Sequence, residues 1–215
     1  MSSHPDPGLA DQLRDHTHGW HRSAERSGIV RMLLRGLVSR HGYALYLRSL
    51  LPAYQQMEAA LQRHRQAPGI RWIARSETYR AAAIESSLEA LCGPQWSDAL
   101  PLLSAATDYA ERIADAAHGD GLRLIGHAYV RYLGDLNGGQ ILRGCLIRSP
   151  GLEPEALTFY DFPDIHDLQR FKDEYRAGFD QAAAELVDAD EVIAEAVIAF
   201  QLNIAVSESV AAQIA

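Results

Sequence analysis

A single all-α domain is the fold this sequence predicts, and three observations predict it. Its 215 residues, 47% of them hydrophobic, are enough to fill one substantial core. Ala (33) and Leu (26) make up more than a quarter of the chain, whereas alternating runs of Val, Ile and Thr are scarce, so helix is favoured nearly everywhere. Punctuation at Gly28, His41-Gly42, Pro68-Gly69, Gly93-Pro94, Pro101, Gly119, Gly121, Pro150-Gly151, Pro154 and Pro163 cuts the chain into segments of helical length.

Residues 1–8 are polar, carry Pro5 and Pro7, and are expected to be a flexible segment with no secretory leader; the domain is expected over 9–215. Eight helices follow in order. They run from Leu9 to Arg26, Ile29 to Ser39, Tyr43 to Arg65, Thr78 to Cys92, Leu100 to His118, Gly121 to Ile147, Ile165 to Val187 and Ala189 to Ile214. The stretch from Ser149 to Asp164 is expected to be the one long loop, and no internal repeat or break in composition divides the chain.

Charge and motifs exclude much. With 20 basic and 28 acidic residues the net charge is −8, so a duplex nucleic acid or an anionic lipid surface would meet mostly like charge. Cys92 and Cys145 are too few for a disulfide framework or a zinc cluster, which points to a reducing compartment, the cytoplasm. No uninterrupted apolar run approaches the roughly 18 residues of a membrane span, so no membrane association is expected. G-x-S-x-G, P-loop, C-x-x-C and H-E-x-x-H patterns are all missing, which removes serine hydrolases, NTPases, thiol oxidoreductases and zinc proteases.

Three places depart from a plain bundle. The first is Tyr132-Leu-Gly-Asp-Leu-Asn-Gly-Gly-Gln140, where Gly134, Gly138 and Gly139 stand inside a helix, followed by Gly144. Each interior Gly costs about 1 kcal/mol against Ala. A kink, a close helix crossing or backbone laid on a flat ligand would each explain them. Asp135 in the same stretch is a candidate buried acid.

The second is the first helix, where Leu13, Thr17, Trp20 and Ala24 form an apolar stripe with His21 at its edge. Arg14 lies seven residues earlier, almost in line with His21, and Glu25 lies one turn beyond it; His16 and His18 are expected on other, solvated faces. One histidine cannot build a zinc site but can serve as axial ligand of a haem; a satisfied interface residue is the alternative. The third is Phe171-Lys-Asp-Glu-Tyr-Arg176, in which Lys172, the only lysine, and Arg176 share a face with Phe179. They could hold carboxylates or simply pair with Asp173 and Asp180.

At these residues the chain resembles the haem oxygenase family. Gly126-His-Ala-Tyr-Val-Arg-Tyr-Leu-Gly-Asp-Leu-Asn-Gly-Gly-Gln140 is similar to the family's distal-helix signature, and Leu13-Arg-Asp-His-Thr-His-Gly-Trp-His-Arg-Ser-Ala-Glu25 to its proximal-helix motif. The similarity extends through Phe171–Arg176 and Ala199-Phe-Gln-Leu-Asn-Ile204, nearly the whole chain from Leu9. The resemblance implies an all-α bundle that holds haem b between a proximal and a kinked distal helix. It implies His21 as axial iron ligand, with Glu25 as its partner, and Gly134, Gly138 and Gly139 pressed against the haem face.

By the same resemblance Asp135, Tyr54, Arg131 and Asn203 form the oxygen-side network, Arg14, Lys172 and Arg176 meet the haem propionates, and Tyr129 and Phe200 are further pocket contacts. A neutral imidazole pushes less electron density onto iron than a thiolate, so bound O2 is left to attack the porphyrin. The family implies biliverdin, most simply the IXα isomer, with CO and Fe2+ as products. Electrons would come from an external ferredoxin or flavoprotein reductase, since the chain carries no flavin or nicotinamide motif; a soluble bacterial type, monomer or weak dimer, is expected. Asn137 and Val130 depart from the Ser and Thr usual at those places. A haem carrier or sensor without turnover is the rival function, and a helical interaction module without cofactor a third.

Overall fold

The computed structural model describes residues 7–186 and 189–215. The expected flexible segment lies mostly outside the described residues, as does Val187, and no strand occurs among those described. Helix α1 (Leu9–Arg26) has the bounds its sequence predicts; Asp180 Oδ1 accepts from the Ala10 N–H at 3.0 Å and so ties its first turn to a later helix. It buries Leu9, Ala10, Leu13, Thr17 and Ala24. The chain then turns at Gly28, φ 33°, where a Cβ would meet the Ser207 carbonyl oxygen at 2.1 Å, so only glycine fits.

Helix α2 (Val30–Arg35) is shorter than expected because Gly36, at φ 64°, ends it in a left-handed cap. Helix α3 (Arg40–Arg63) begins where Ser39 Oγ accepts from the Gly42 N–H, and it runs through the centre, burying Tyr43, Leu47, Leu50, Tyr54, Met57 and Leu61. Helix α4 (Ile70–Ile73), a 3-10 turn at Ser76–Thr78 and helix α5 (Ala81–Cys92) follow. The start of α5 is set by Glu58, whose carboxylate accepts from the Arg80 and Ala81 N–H groups at 2.5 and 2.9 Å. Helix α6 (Trp96–Ala99) is an unforeseen single turn, and helix α7 (Ser104–Ala116) starts after Pro101, later than expected.

The predicted helix from Gly121 to Ile147 is three pieces in one rod: α8 (Leu124–Ala128), a π-helical turn at Tyr129–Leu133 and α9 (Gly134–Leu146). The predicted loop contains a 3-10 helix at Pro154–Tyr160, with Phe159 and Tyr160 buried. Helix α10 (Leu168–Ala183) is capped by Asp167, which accepts from the Arg170 N–H, and is shorter than the expected Ile165–Val187. Helix α11 (Ala189–Ile214) has the predicted bounds and packs on α1, α3, α7 and α8. Among the described residues it alone is long and apolar enough to cross a membrane, yet half of that window is buried in the core.

A buried polar junction fixes α8 to α7 and α11. Glu195 takes the His127 Nε2 at 2.8 Å and the Arg112 Nε at 2.9 Å. Burial pushes the His127 imidazole down, whereas its two donors outweigh burial at Glu195 and hold that carboxyl below its usual range. Beside it Gly126 lets α8 and α11 touch, since a Cβ would meet the Val192 carbonyl oxygen at 2.7 Å. This crossing sets where the following π turn and α9 lie.

Candidate functional site

A cleft of about 510 Å³ opens between α1 on one side and the π turn with α9 on the other. Arg14, Thr17, His18, His21 and Glu25 form the α1 wall, and Tyr129, Val130, Leu133, Gly134, Asn137, Gly138 and Ile141 form the opposite one. Arg176 from α10 and Phe200 from α11 complete the lining. The volume and the mostly apolar wall with few polar groups are those of a small-molecule site.

The α1 wall is built from local sequence. Positions 14, 18, 21 and 25 recur at four and three residues and so fall on one helix face. His21 is half-exposed; its ring meets Phe200 edge-on, centroids 6.1 Å apart, and its Nδ1 lies 3.7 Å from Glu25 Oε1, beyond hydrogen-bond length. The His21 imidazole thus faces the cleft with a carboxylate beside it. His18 also lines the cleft, contrary to its expected place on another face; its spacing of four from Arg14 and three from His21 carried that signal. His16 instead bonds the Gln12 carbonyl away from the cleft.

The opposite wall owes its flatness to two glycines. Gly134 and Gly138 line the cleft, and a Cβ at either would meet no protein atom within 4 Å: the space it would take belongs to the cleft. Neither has a positive φ, so it is room and not backbone freedom that glycine supplies here. Gly139 departs from expectation. It is buried away from the cleft, and its absent Cβ would meet the Tyr160 ring at 3.3 Å, so it serves packing against the 3-10 helix. The irregularity in this rod is likewise not at the glycines but one turn earlier, in the π turn, which shifts the phase of the helix.

Behind the glycine wall lies a charged cluster. Arg131 Nε and Nη2 donate to the Tyr54 hydroxyl oxygen at 2.9 and 2.6 Å, and Arg131 Nη1 donates to Asn203 Oδ1 at 2.6 Å. Arginine has only donors, so the Tyr54 proton must point elsewhere, and Tyr54 Oη donates it to Asp135 Oδ2. Arg131 Nη2 also stands 3.4 Å from Asp135 Oδ1. Burial pushes the Asp135 carboxyl above the usual carboxylate range, against the pull of the Arg131 charge and the Tyr54 hydrogen bond. Burial likewise pushes the Tyr54 phenol well up. All four residues that the family resemblance placed together are together; none lines the cleft itself, and Asp135 stands between Gly134 and Gly138 in sequence with its carboxylate turned to Tyr54 and Arg131.

At the mouth, Arg14 and Arg176 line the cleft, whereas Lys172, expected beside them, is not in its wall. Asn137 and Val130 both line it. Tyr129 packs edge-on against Phe179, centroids 5.7 Å apart, and so joins the glycine wall to α10. The arrangement suits a flat, apolar, metal-bearing ligand with carboxylates at one edge: imidazoles on one wall, two glycines without Cβ atoms in the wall across from them, and two guanidiniums at the rim.

The family model described as heme oxygenase matches residues 7–209. Heme oxygenase 1 of a Nostoc species is 34% identical over 196 residues, covering 91% of this chain and 82% of the relative, and the human heme oxygenase 1 is 32% identical over 203 residues, covering 93% and 70%. Among solved structures, heme oxygenase-1 from a Synechocystis cyanobacterium in complex with heme superposes with a TM-score of 0.88 at 31% identity, covering 97% of this chain and 94% of that one. A TenA homologue from P. horikoshii, at 12% identity and a TM-score of 0.71, shares the fold alone.

Proposed function

The chain belongs to the haem oxygenase family, and on that premise we propose that its cleft opens haem b with O2 to biliverdin IXα, CO and Fe2+ through the residues placed above. Family membership makes it a haem-degrading enzyme with haem as its substrate. The observation that carries the residue assignment is the pairing, across one cleft, of the His21 imidazole with the Gly134 and Gly138 wall.

His21 would hold the iron, with Glu25 steadying the ring from Nδ1. Gly134 and Gly138 would let backbone lie on the opposite face, and Arg14 and Arg176 would take the carboxylate edge. When bound, haem supplies the iron that activates O2 and the ring carbon that is oxidised. The protein's own part is to orient and to move protons. Asp135 delivers a proton toward the glycine wall and takes the next from water; Tyr54, donating to Asp135, and Arg131, which keeps its protons, hold the carboxyl in place. Asn203 anchors Arg131 from α11. Phe200 and Tyr129 hold the walls apart, and an external ferredoxin or flavoprotein reductase in the cytoplasm supplies electrons.

The test is the absorption spectrum of the purified protein with one equivalent of haemin, followed through addition of ascorbate or a reductase system in air with catalase present. A Soret band that forms and then decays as a biliverdin band grows is the expected result. A Soret band that persists under competent reductant would make the protein a carrier or sensor, and no Soret band would remove the assignment of His21.

A further inference from the structure

The two guanidiniums at the rim of the cleft are already bound to a carboxylate of the chain itself. Asp11 Oδ1 accepts from Arg176 Nη2 at 2.5 Å and lies 2.9 Å from Arg14 Nη1, so a single oxygen on α1 holds both arginines and, through Arg176, joins α1 to α10. Asp15 takes the Arg14 Nε at 3.0 Å. Arg14 and Arg176 line the cleft, but Asp11 and Asp15 do not: the carboxylates sit outside and the cations face in. Counting Arg14, Arg176, Asp11 and Asp15, the rim is neutral, an odd setting for receiving an anionic edge.

We propose that Asp11 is an internal competitor for the carboxylates of substrate and product: the entering carboxylate takes Arg176 from it, and it takes Arg176 back when the product leaves. The inference rests on the haem-degrading reading of the cleft. A carboxylate replaces a carboxylate, so neither state leaves a guanidinium unpaired. The exchange is local because α1 and α10 stay joined by the Asp180 to Ala10 hydrogen bond one turn beyond Arg176. Asp11 and Arg176 are both a little over 40% exposed, so water reaches the pair and the exchange needs no opening of the core. The consequence falls on release. Ring opening leaves the two carboxylates of haem intact in biliverdin, so the arginines grip product as they grip substrate, and an anion tethered beside them shortens the product's stay.

The test compares wild type with Asp11→Asn, which keeps the side-chain shape and removes the charge. Haemin affinity and the biliverdin dissociation rate are measured for both, with haemin dimethyl ester, which lacks the anionic edge, as control. Exposed pairs are worth little, so an effect of about two- to five-fold is expected: tighter haemin, slower biliverdin release, no change for the ester. Weaker or unchanged haemin affinity in Asp11→Asn would overturn the exchange and make Asp11 a mere brace for the arginines. An equal change for haemin and its ester would overturn it too. If wild type gives no haem spectrum, the haem-degrading reading fails and this inference falls with it; a normal wild-type spectrum with an unaltered variant defeats the exchange alone.

Discussion

The two walls of the cleft are made in opposite ways. On the α1 side, Arg14, His18, His21 and Glu25 belong to one helix face, are largely exposed, and follow one another at three or four residues in sequence. On the other side, Arg131 and Asp135 work only through Tyr54, 77 and 81 residues away, and Asn203, 72 residues away. The first wall presents an imidazole that any intact helix would present. The second stands in front of a carboxyl whose orientation and acidity exist only once α3, the π turn and α11 have packed.

That contrast can be broken most severely at its two chemical centres. His21→Ala should leave the fold intact, since the side chain is half-exposed, and should abolish both the wild-type iron coordination spectrum and turnover. An unchanged spectrum would place the ligand elsewhere, with His18 the neighbouring imidazole. Asp135→Asn should keep haem binding and lower biliverdin formation by about 10²- to 10⁴-fold, the range of a lost general acid. Normal yield in a single-turnover assay would remove Asp135 from the mechanism.

The glycines sharpen the comparison within one wall. Gly138→Ala meets no protein atom, so the helix gains about 1 kcal/mol of propensity, and Tm should rise by about 2–4 °C while haem affinity falls. Gly139→Ala must push against Tyr160, so its Tm gain should be smaller and its haem affinity unchanged. Equal effects of the two on haem titration would show that the cleft extends past Gly138.

Smaller effects follow from charge. Folding raises the Asp135 carboxyl, so above the unfolded value the native state binds more protons than the unfolded one, and this group costs stability as pH rises through its folded value. The cost is absent below the unfolded value. Asp135→Asn removes it, so the variant's stability relative to wild type should climb with pH across that window in urea melts; a flat difference would mean burial does not shift the group. Smallest is Glu25→Gln. Its partner lies 3.7 Å away in water, so activity should drop by less than about ten-fold, the low end for a residue behind a metal ligand.

Much of this was legible in order along the chain. The bounds of α1 and α11 follow from helix-favouring composition and punctuation, and the identities of His21, Asp135 and their companions follow from two motifs. A shared fold alone would not have sufficed, since the TenA homologue has the same architecture. The 3-10 helix at Pro154–Tyr160 was not legible, because its local signals are those of a loop and only burial of Phe159 and Tyr160 against α5 orders it. The π turn is not legible either, because Tyr129–Leu133 has ordinary helical composition.

The sequence by itself determined the helical class, the residue types of the site and the α1 wall, because those depend on contacts within a turn or two. Only the tertiary structure decided that Gly134 and Gly138 face the cleft while Gly139 faces Tyr160, that Lys172 stays out of the wall, and that Asp11 holds both rim arginines. Those outcomes depend on the rotation of one helix against another. Side chains far apart in sequence set that rotation, as at the Gly126 crossing and the Glu195 junction, and no local spacing records it.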